Sequence, residues 1–143
     1  MIVVDANILL YAYDRADPRH RTAARWLETV LGGSDQVGFA LTTLLAFIRI
    51  STDPRVYERP MAPTTAIRHV ERWLERSNVQ MIGPNDRHWT RLADLITRGQ
   101  ARGPLVMDAH LATLAIEHGA TLATTDRDLR RFPGLRTIDP TAA

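Results

Sequence analysis

The sequence predicts an α/β fold in which a mainly parallel sheet of four or five strands carries helices on both faces. Strand and helix patterns alternate along all 143 residues, and strands separated by helices favour a parallel sheet covered on both sides. The first run, "MIVVD" at residues 1–5, is short and β-branched, which is typical of a buried strand. No repeat, low-complexity tract or long linker divides the chain, so we expect one domain over residues 1–143.

The remaining elements follow from apolar spacing and from the residues that begin or end helices. Strands are predicted at residues 1–5, 36–41, 79–83 and 121–126, and "LRTI" at 135–138 is a candidate fifth strand. Helices are predicted at residues 6–14, from Asp17-Pro18 to 31, at 42–52, from about Thr64, between Asn85 and Gly99, and at 105–118. We expect Thr42 or Thr43 to cap the third helix, and Asn85 or Asp86 to cap the fifth. The residues expected to end helices are Gly32-Gly33, Gly99 and Gly119.

Two helices show apolar faces that we expect to point into the core. In the fourth helix the apolar residues at helical spacing are Ile67, Val70, Trp73 and Leu74. In the fifth they are Trp89, Leu92, Ala93 and Ile96. For Trp26 and Trp73, core packing is a better explanation than ligand stacking.

Asp108 is unusual because it lies on an apolar helix face. Residues three and four apart share a face of a helix, so Asp108 points the same way as Leu111, Ala112 and Ala115. Burying a carboxylate costs several kcal/mol unless a hydrogen bond, an ion pair or a metal compensates it. The helix dipole contributes only about 0.3–1 kcal/mol, so we expect one of those three partners.

Three aspartates are predicted to meet at one edge of the sheet. Asp5 and Asp126 each follow a strand, and Asp108 stands in the first turn of the helix before the second of these strands. Ligands of open parallel sheets bind beyond the carboxyl ends of the strands, and three neighbouring carboxylates need a counter-charge. Mg²⁺, or alternatively Mn²⁺, would supply it. Each residue also has a local explanation: Asp5 as a helix cap, Asp126 as a turn residue and Asp108 as a dipole partner.

Other polar residues near these aspartates are weaker candidates. Asp128 either ligates through water or caps the turn "DLRRF". Asn7 and Thr125 are expected to orient Asp5 and Asp126 by hydrogen bonds, or otherwise to make local turn contacts.

All 18 basic residues of the chain are arginines. The absence of lysine excludes the P-loop, Schiff-base enzymes and other lysine-dependent sites. Arg127, Arg130 and Arg131 lie beside Asp126, where their guanidinium groups suit a phosphate-bearing substrate. A solvated surface and a biased composition are the alternative explanations.

The rest of the sequence narrows the function by exclusion. The helical histidines His20, His69, His88 and His110 lie among arginines and are expected to be exposed. There is no H-E-x-x-H or G-x-S-x-G motif and no cysteine, which argues against zinc proteases, serine hydrolases and thiol chemistry. No basic leader precedes the first apolar run and no run approaches a membrane span, so a cytoplasmic location is expected.

Three segments resemble the PIN-domain family, and more narrowly its VapC-type toxins. They are "MIVVDANILLYA", "AFIRISTDPRVYERPMAP" and "MDAHLATLAIEHGATLATTDRDLRRFPGL", and the resemblance covers essentially the whole chain. It implies a three-layer α/β/α sandwich, a homodimer, and a Mg²⁺-dependent endoribonuclease that a VapB-type antitoxin holds inactive. The family's acidic ligands fall on Asp5, Asp108 and Asp126.

The sequence departs from the family pattern at one place. PIN nucleases generally carry a further acid, commonly glutamate, where this chain has Ala46, and no acid occurs between Asp35 and Asp53. The number of metal ions, one or two, therefore stays open. Arg49, one turn after Ala46, is a candidate contact for substrate phosphate. The alternative function is a PIN-like module that binds RNA or an antitoxin without cleavage.

Overall fold

A computed structural model describes residues 1–142, so Ala143, the last residue of the predicted domain, lies outside the described residues. The strands are β1 (Ile2–Val4), β2 (Val37–Ala40), β3 (Val79–Ile82), β4 (Thr121–Ala123) and β5 (Arg136–Ile138). The helices are α1 (Ala6–Tyr13), α2 (His20–Leu31), α3 (Leu41–Ser51), α4 (Pro63–Leu74), α5 (His88–Arg98), α6 (Leu105–Glu117) and a 3₁₀ helix (Arg127–Arg131). Within the described chain, no helix is both long and apolar enough to traverse a lipid bilayer.

The five strands form one parallel sheet in the order β3-β2-β1-β4-β5. β1 lies at the centre, where Ile2 is level with Val37 on one side and with Thr121 on the other. The candidate fifth strand is confirmed, although several strands are shorter than predicted. Because every strand runs the same way, the residues that follow β1 and β4 emerge at the same edge.

Helices cover both faces of the sheet, which confirms the predicted three layers. Neighbouring residues of β1 point to opposite sides: Val4 packs in the core under α1–α4, and Val3 in the core under α5 and α6. This alternation follows from the two-residue repeat of a strand. Each fully buried side chain of this size contributes about 1.5–3 kcal/mol to folding.

Trp73 organises the larger of the two cores. It is buried, and its ring packs against Phe39, Phe47 and Tyr13. Its indole N–H donates a hydrogen bond of 3.1 Å to the Tyr13 hydroxyl, so the polar atom is satisfied inside the core. The prediction that Trp73 packs in the core is confirmed, and Trp26 packs half-buried against the same core.

The two predicted helix faces are largely confirmed, because Val70 and Trp73 of α4 are buried and Leu92 and Ile96 of α5 pack against the core, but one residue of each face is wrong. Trp89 is 73% exposed and Ile67 is 44% exposed. The buried side of α5 contains His88 and Leu95 instead, and that of α4 contains Ala66. Adjacent helix positions differ by about 100°, so burying His88 with its partners Glu117 and His110 turns Trp89 of α5 toward solvent.

The helix ends agree with only part of the prediction. The N-cap residue of α3 is Ala40, which has no side-chain capping bond, so neither Thr42 nor Thr43 is the cap. Asn85 lies before α5 and its side-chain oxygen accepts from the Arg87 N–H at 2.9 Å. Gly119, which follows the C-cap residue His118 of α6, has φ +61°, as predicted for a left-handed stop.

Candidate active site

Asp5 and Asp126 lie at the same edge of the sheet, directly beyond neighbouring strands. The Asp5 N–H donates to the Ala123 carbonyl at 3.0 Å, which ties the end of β1 to the end of β4. Asp5 also caps α1, because its Oδ1 accepts from the Ala6 N–H at 2.7 Å. Asp126 caps the 3₁₀ helix through an Oδ1 that accepts from the Asp128 N–H at 2.9 Å. The local explanations, a helix cap for Asp5 and a turn residue for Asp126, are therefore correct, and each carboxylate has a second oxygen that takes no part in the capping bond.

Thr124 links the two aspartates. Its buried hydroxyl donates to Asp5 Oδ2 at 2.8 Å and accepts from the Asp126 N–H at 3.0 Å. The same oxygen lies 3.4 Å from Asn7 Nδ2, which points its amide donor at it. One hydroxyl thus fixes the relative positions of two strand ends and of α1.

The sequence assigned this positioning role to Thr125, and that assignment is wrong. The Thr125 hydroxyl lies 3.4 Å from the Tyr11 hydroxyl, and no hydrogen bond joins it to an aspartate within residues 1–142. Consecutive residues at the end of a strand point to opposite sides, so only one of the two threonines faces Asp5. Asn7 acts through Thr124 and not on Asp5 directly.

Asp5 and Asp108 share an open cleft of about 600 Å³. The cleft is lined by Asp5, Ala6, Thr42, Thr43, Leu45, Ala46, Ile48, Arg49, Met107, Asp108 and Leu111. Asp126 instead lines an adjoining recess of about 140 Å³, together with Arg127 and Arg130. Asp5 and Asp108 therefore line the same cleft. Asp126 lines the adjoining recess and is connected to Asp5 by the hydrogen bonds of Thr124.

The carboxylates of the cleft are held in an unfavourable environment for negative charge. Desolvation raises the pKa of Asp5, and the nearby Asp126 adds to the rise. Desolvation, followed by repulsion from Asp126, Asp5 and Asp128, raises the pKa of Asp108 to about 6, and Arg131 opposes this only in part. Such a pair is stabilised in its charged form by a bound cation.

The carboxylate oxygens of Asp5 and Asp108 are the type of ligand that a hard divalent cation binds. Among residues 1–142, no three histidine, aspartate or glutamate side chains lie close enough to hold one metal ion together. Mg²⁺, however, usually keeps several waters and needs only one or two carboxylates, which Asp5 and Asp108 supply. The side-chain oxygen of Asn7 is buried and has no hydrogen-bond partner. Since the Asn7 amide also contacts Thr124, this oxygen is available to a water or an ion near Asp5.

Asp128 and the predicted phosphate-binding arginines occupy different places around the cleft. Asp128 is exposed, with its Oδ1 3.8 Å from Arg131. It does not cap the turn, because Asp126 is the capping residue of the 3₁₀ helix. Arg131 also donates to the Gly99 carbonyl at 3.1 Å, which anchors the 3₁₀ helix to α5. Arg49 lies on the cleft wall one turn after Ala46, as the sequence predicted.

The raised pKa of Asp108 predicts how stability varies with pH in the metal-free protein. The pKa of Asp108 rises from 3.8 in the unfolded chain to about 6 in the folded protein. The contribution of Asp108 to stability is therefore most favourable below pH 4. It falls as the pH increases through 6. Because solvent screens the half-exposed carboxylate, we expect the free energy of unfolding to fall by only about 1 kcal/mol. Urea unfolding in EDTA at pH 4.5 and 7 measures it, and Asp108→Asn should remove that part of the slope. An unchanged slope in the variant contradicts the assigned environment.

Comparison with known proteins agrees with this architecture. The PIN domain family model matches residues 2–135. The chain belongs to the PIN-domain family. This PIN domain is 42% identical to Ribonuclease VapC37 of Mycobacterium tuberculosis over 142 residues, which are 99% of each chain.

Solved structures of low sequence identity share the fold of this PIN domain. VapBC-1 from nontypeable Haemophilus influenzae has a TM-score of 0.69 at 20% identity, covering 99% of this chain and 100% of that one. A toxin-antitoxin complex from Klebsiella pneumoniae has a TM-score of 0.66 at 18% identity and covers 98% of both chains. At this identity the likeness concerns the fold of the PIN domain alone.

Proposed function

We propose that this PIN domain is a Mg²⁺-dependent endoribonuclease and the toxin of a VapBC-type toxin–antitoxin pair. The observation that carries the proposal is the pair of desolvated carboxylates, Asp5 and Asp108, in one open cleft beside Arg49. The 42% identity to a ribonuclease over the full length of both chains supports the same substrate class.

In the proposed reaction, water hydrolyses an RNA phosphodiester and leaves a 5′-phosphate and a 3′-hydroxyl. Asp5 and Asp108 would hold Mg²⁺, and Asp126 would act directly or through a water. When bound, the ion supplies positive charge at the phosphate and makes water a better nucleophile. Thr124 keeps Asp5 in place, and the capping bond from the Ala6 N–H fixes the rotation of its carboxylate.

Arginines on both sides of the carboxylates would position the RNA backbone. Arg49 lies on the cleft wall, while Arg127 and Arg130 line the adjoining recess. No carboxylate in the described chain pairs with these three guanidinium groups, so they are available to phosphate. Single-stranded or looped RNA is the proposed target, since its bases are accessible.

We expect Arg127→Ala and Arg130→Ala each to weaken RNA binding and to make it less dependent on salt. Each lost phosphate contact lowers the slope of log K against log salt by about 0.7 for a single strand. Filter binding of an RNA oligonucleotide to the Asp108→Asn protein between 50 and 300 mM salt (about the range where the slope is measurable) provides the measurement. Arg25→Ala, on the opposite helix layer, is the control and should leave the slope unchanged. A wild-type slope in both recess variants would remove these arginines from the RNA path.

A VapB-type antitoxin and a second copy of the chain are the proposed protein partners, and the cytoplasm is the proposed location. The matching Klebsiella structure is a toxin-antitoxin complex, which supports an antitoxin here by likeness of fold. Co-purification with the product of an adjacent small gene tests this partner directly.

The decisive experiment combines purified protein with total RNA, with Mg²⁺ or with EDTA, and maps the new 5′ ends. We expect cleavage only with the metal, at a limited set of positions, and growth arrest when the chain is expressed alone. The alternative function, suggested by Ala46, predicts RNA binding without cleavage at any Mg²⁺ or Mn²⁺ concentration. That result would refute the proposed endoribonuclease activity and favour the non-cleaving module.

A further inference from the structure

A cluster of His88, His110 and Glu117 lies between α5 and α6, apart from the residues that line the cleft. His88 Nδ1 lies 2.8 Å from Glu117 Oε1, and His88 Nε2 lies 2.9 Å from His110 Nδ1. The two rings are nearly perpendicular, with their centres 4.9 Å apart. The side chains of Glu117 and His88 are only 1% and 10% exposed. The sequence placed His88 and His110 on the surface, and this was wrong: His88 is buried, while His110, like His20 and His69, is half-buried.

Glu117 determines which nitrogen of His88 carries the proton. A carboxylate accepts hydrogen bonds, so Nδ1 of His88 donates to Glu117 and, in the neutral ring, Nε2 keeps its lone pair. That nitrogen lies on the side of His88 that faces Nδ1 of His110, at 2.9 Å. A histidine whose far nitrogen is bonded to a buried carboxylate is the arrangement that proteins use behind metal-ligating imidazoles.

The distance between the two nitrogens also fits a shared cation. With metal–nitrogen distances of about 2.0–2.1 Å, neighbouring ligand atoms lie roughly 2.9–3.4 Å apart. The observed 2.9 Å is at the short end of this interval. A direct N–H···N hydrogen bond, with His110 as the donor, has the same length, so titration with metal is needed to distinguish the two.

We propose that His88 and His110 form a binding site for a first-row transition cation such as Zn²⁺ or Ni²⁺, with Glu117 buttressing His88. The chain supplies two nitrogen donors, and within residues 1–142 no third histidine or carboxylate joins them as a ligand, so water completes the coordination. Imidazole ligands select this class of ion, whereas the oxygen donors of the cleft select Mg²⁺. The proposal is independent of the ribonuclease activity.

A cation at this place would join α5 to α6. His110 is half-buried, so an ion can reach it from solvent without unfolding the pair of helices. The ligands lie on two elements, at positions 88 and 110, which have to be in their folded arrangement to meet. The ion therefore binds the folded state in preference to the unfolded one and raises the melting temperature.

Isothermal titration of the full chain with ZnCl₂, in the presence of excess Mg²⁺, tests the site. We expect about one Zn²⁺ per chain and a melting temperature that rises with Zn²⁺ concentration. His110→Ala should abolish both effects. Glu117→Gln should weaken Zn²⁺ binding roughly tenfold, because the buttressing hydrogen bond weakens. Co²⁺ in place of Zn²⁺ should give a visible d–d absorption that is lost in His110→Ala.

Two control variants make the outcome unambiguous. Asp108→Asn alters the cleft and should bind Zn²⁺ like the wild type, while His118→Ala removes an exposed histidine just after α6 and should also have no effect. If the wild-type chain binds no Zn²⁺ or Ni²⁺ at millimolar concentration, the contact is a hydrogen bond only. If His110→Ala, shown to be folded by circular dichroism, binds Zn²⁺ as tightly as the wild type, the proposed site is wrong.

Discussion

Asp5→Asn and Asp108→Asn are each expected to lower Mg²⁺-dependent RNA cleavage at least about a hundredfold. Changing groups that only support a metal ligand typically costs about 10–100-fold, and these residues are the proposed ligands themselves. An amide oxygen remains in each variant, so the Asp5→Asn side chain can still cap α1. The fold should therefore survive, and Asp108→Asn should be more stable than the wild type at neutral pH without metal, because the pKa of Asp108 is raised in the fold.

Initial rates on a labelled RNA, together with circular dichroism and melting curves, measure this effect. Asp94→Asn is the matched control, because Asp94 is an exposed aspartate whose only ion pair in the described chain is with Arg98 on the same helix. It should cleave RNA at the wild-type rate. A folded Asp108→Asn protein that cuts RNA as fast as the wild type would refute the catalytic assignment. Relief of growth arrest by the same two changes would extend the result to cells.

Thr124→Val is expected to reduce RNA cleavage by about 10–100-fold, although Thr124 touches no substrate in the proposed reaction. The valine removes the hydroxyl that donates to Asp5 and accepts from the Asp126 N–H. Because these groups lose a buried partner, the free energy of unfolding should also fall by about 1–3 kcal/mol. Activity lost in this way should be recovered partly at higher Mg²⁺ concentration, since the defect lies in the positioning of Asp5.

Neighbouring substitutions supply the controls for Thr124. Thr124→Ser keeps the hydroxyl and should restore most of the activity. Thr125→Val loses only the 3.4 Å contact with Tyr11 and should behave like the wild type. Equal activity of Thr124→Val and Thr125→Val in folded protein would show that the link between Asp5 and Asp126 has no catalytic role.

The sequence was sufficient to predict the sheet and the aspartates at its edge. Short apolar strands alternate with helices, and a parallel sheet brings all its strand ends to one side. Asp5 and Asp126 follow two such strands, so their common edge could be predicted without coordinates. Asp108 was found from the conflict between its charge and its apolar helix face, and it does line the cleft with Leu111.

The sequence was insufficient where a partner from a distant element decides which side of a residue is buried. His88 is buried because Glu117 and His110 satisfy both of its ring nitrogens, and this turns Trp89 out to solvent. Those partners lie 22 and 29 positions away, beyond the reach of helical periodicity. Thr124 and Thr125 are the same residue type, so the sequence does not distinguish them. Only the orientation of each side chain at the end of β4 shows that Thr124, and not Thr125, contacts Asp5.

The central position of β1 has a consequence for synthesis of the protein. Thr124 and Asp5, which share a hydrogen bond, are 119 positions apart, so the first strand is made long before its partner β4. While the residues from 121 onward are still inside the ribosome, β1 has no neighbour on that side and Asp126 is absent. The proposed nuclease site is therefore incomplete on the nascent chain until residues 121–126 have left the ribosome and β4 has paired with β1.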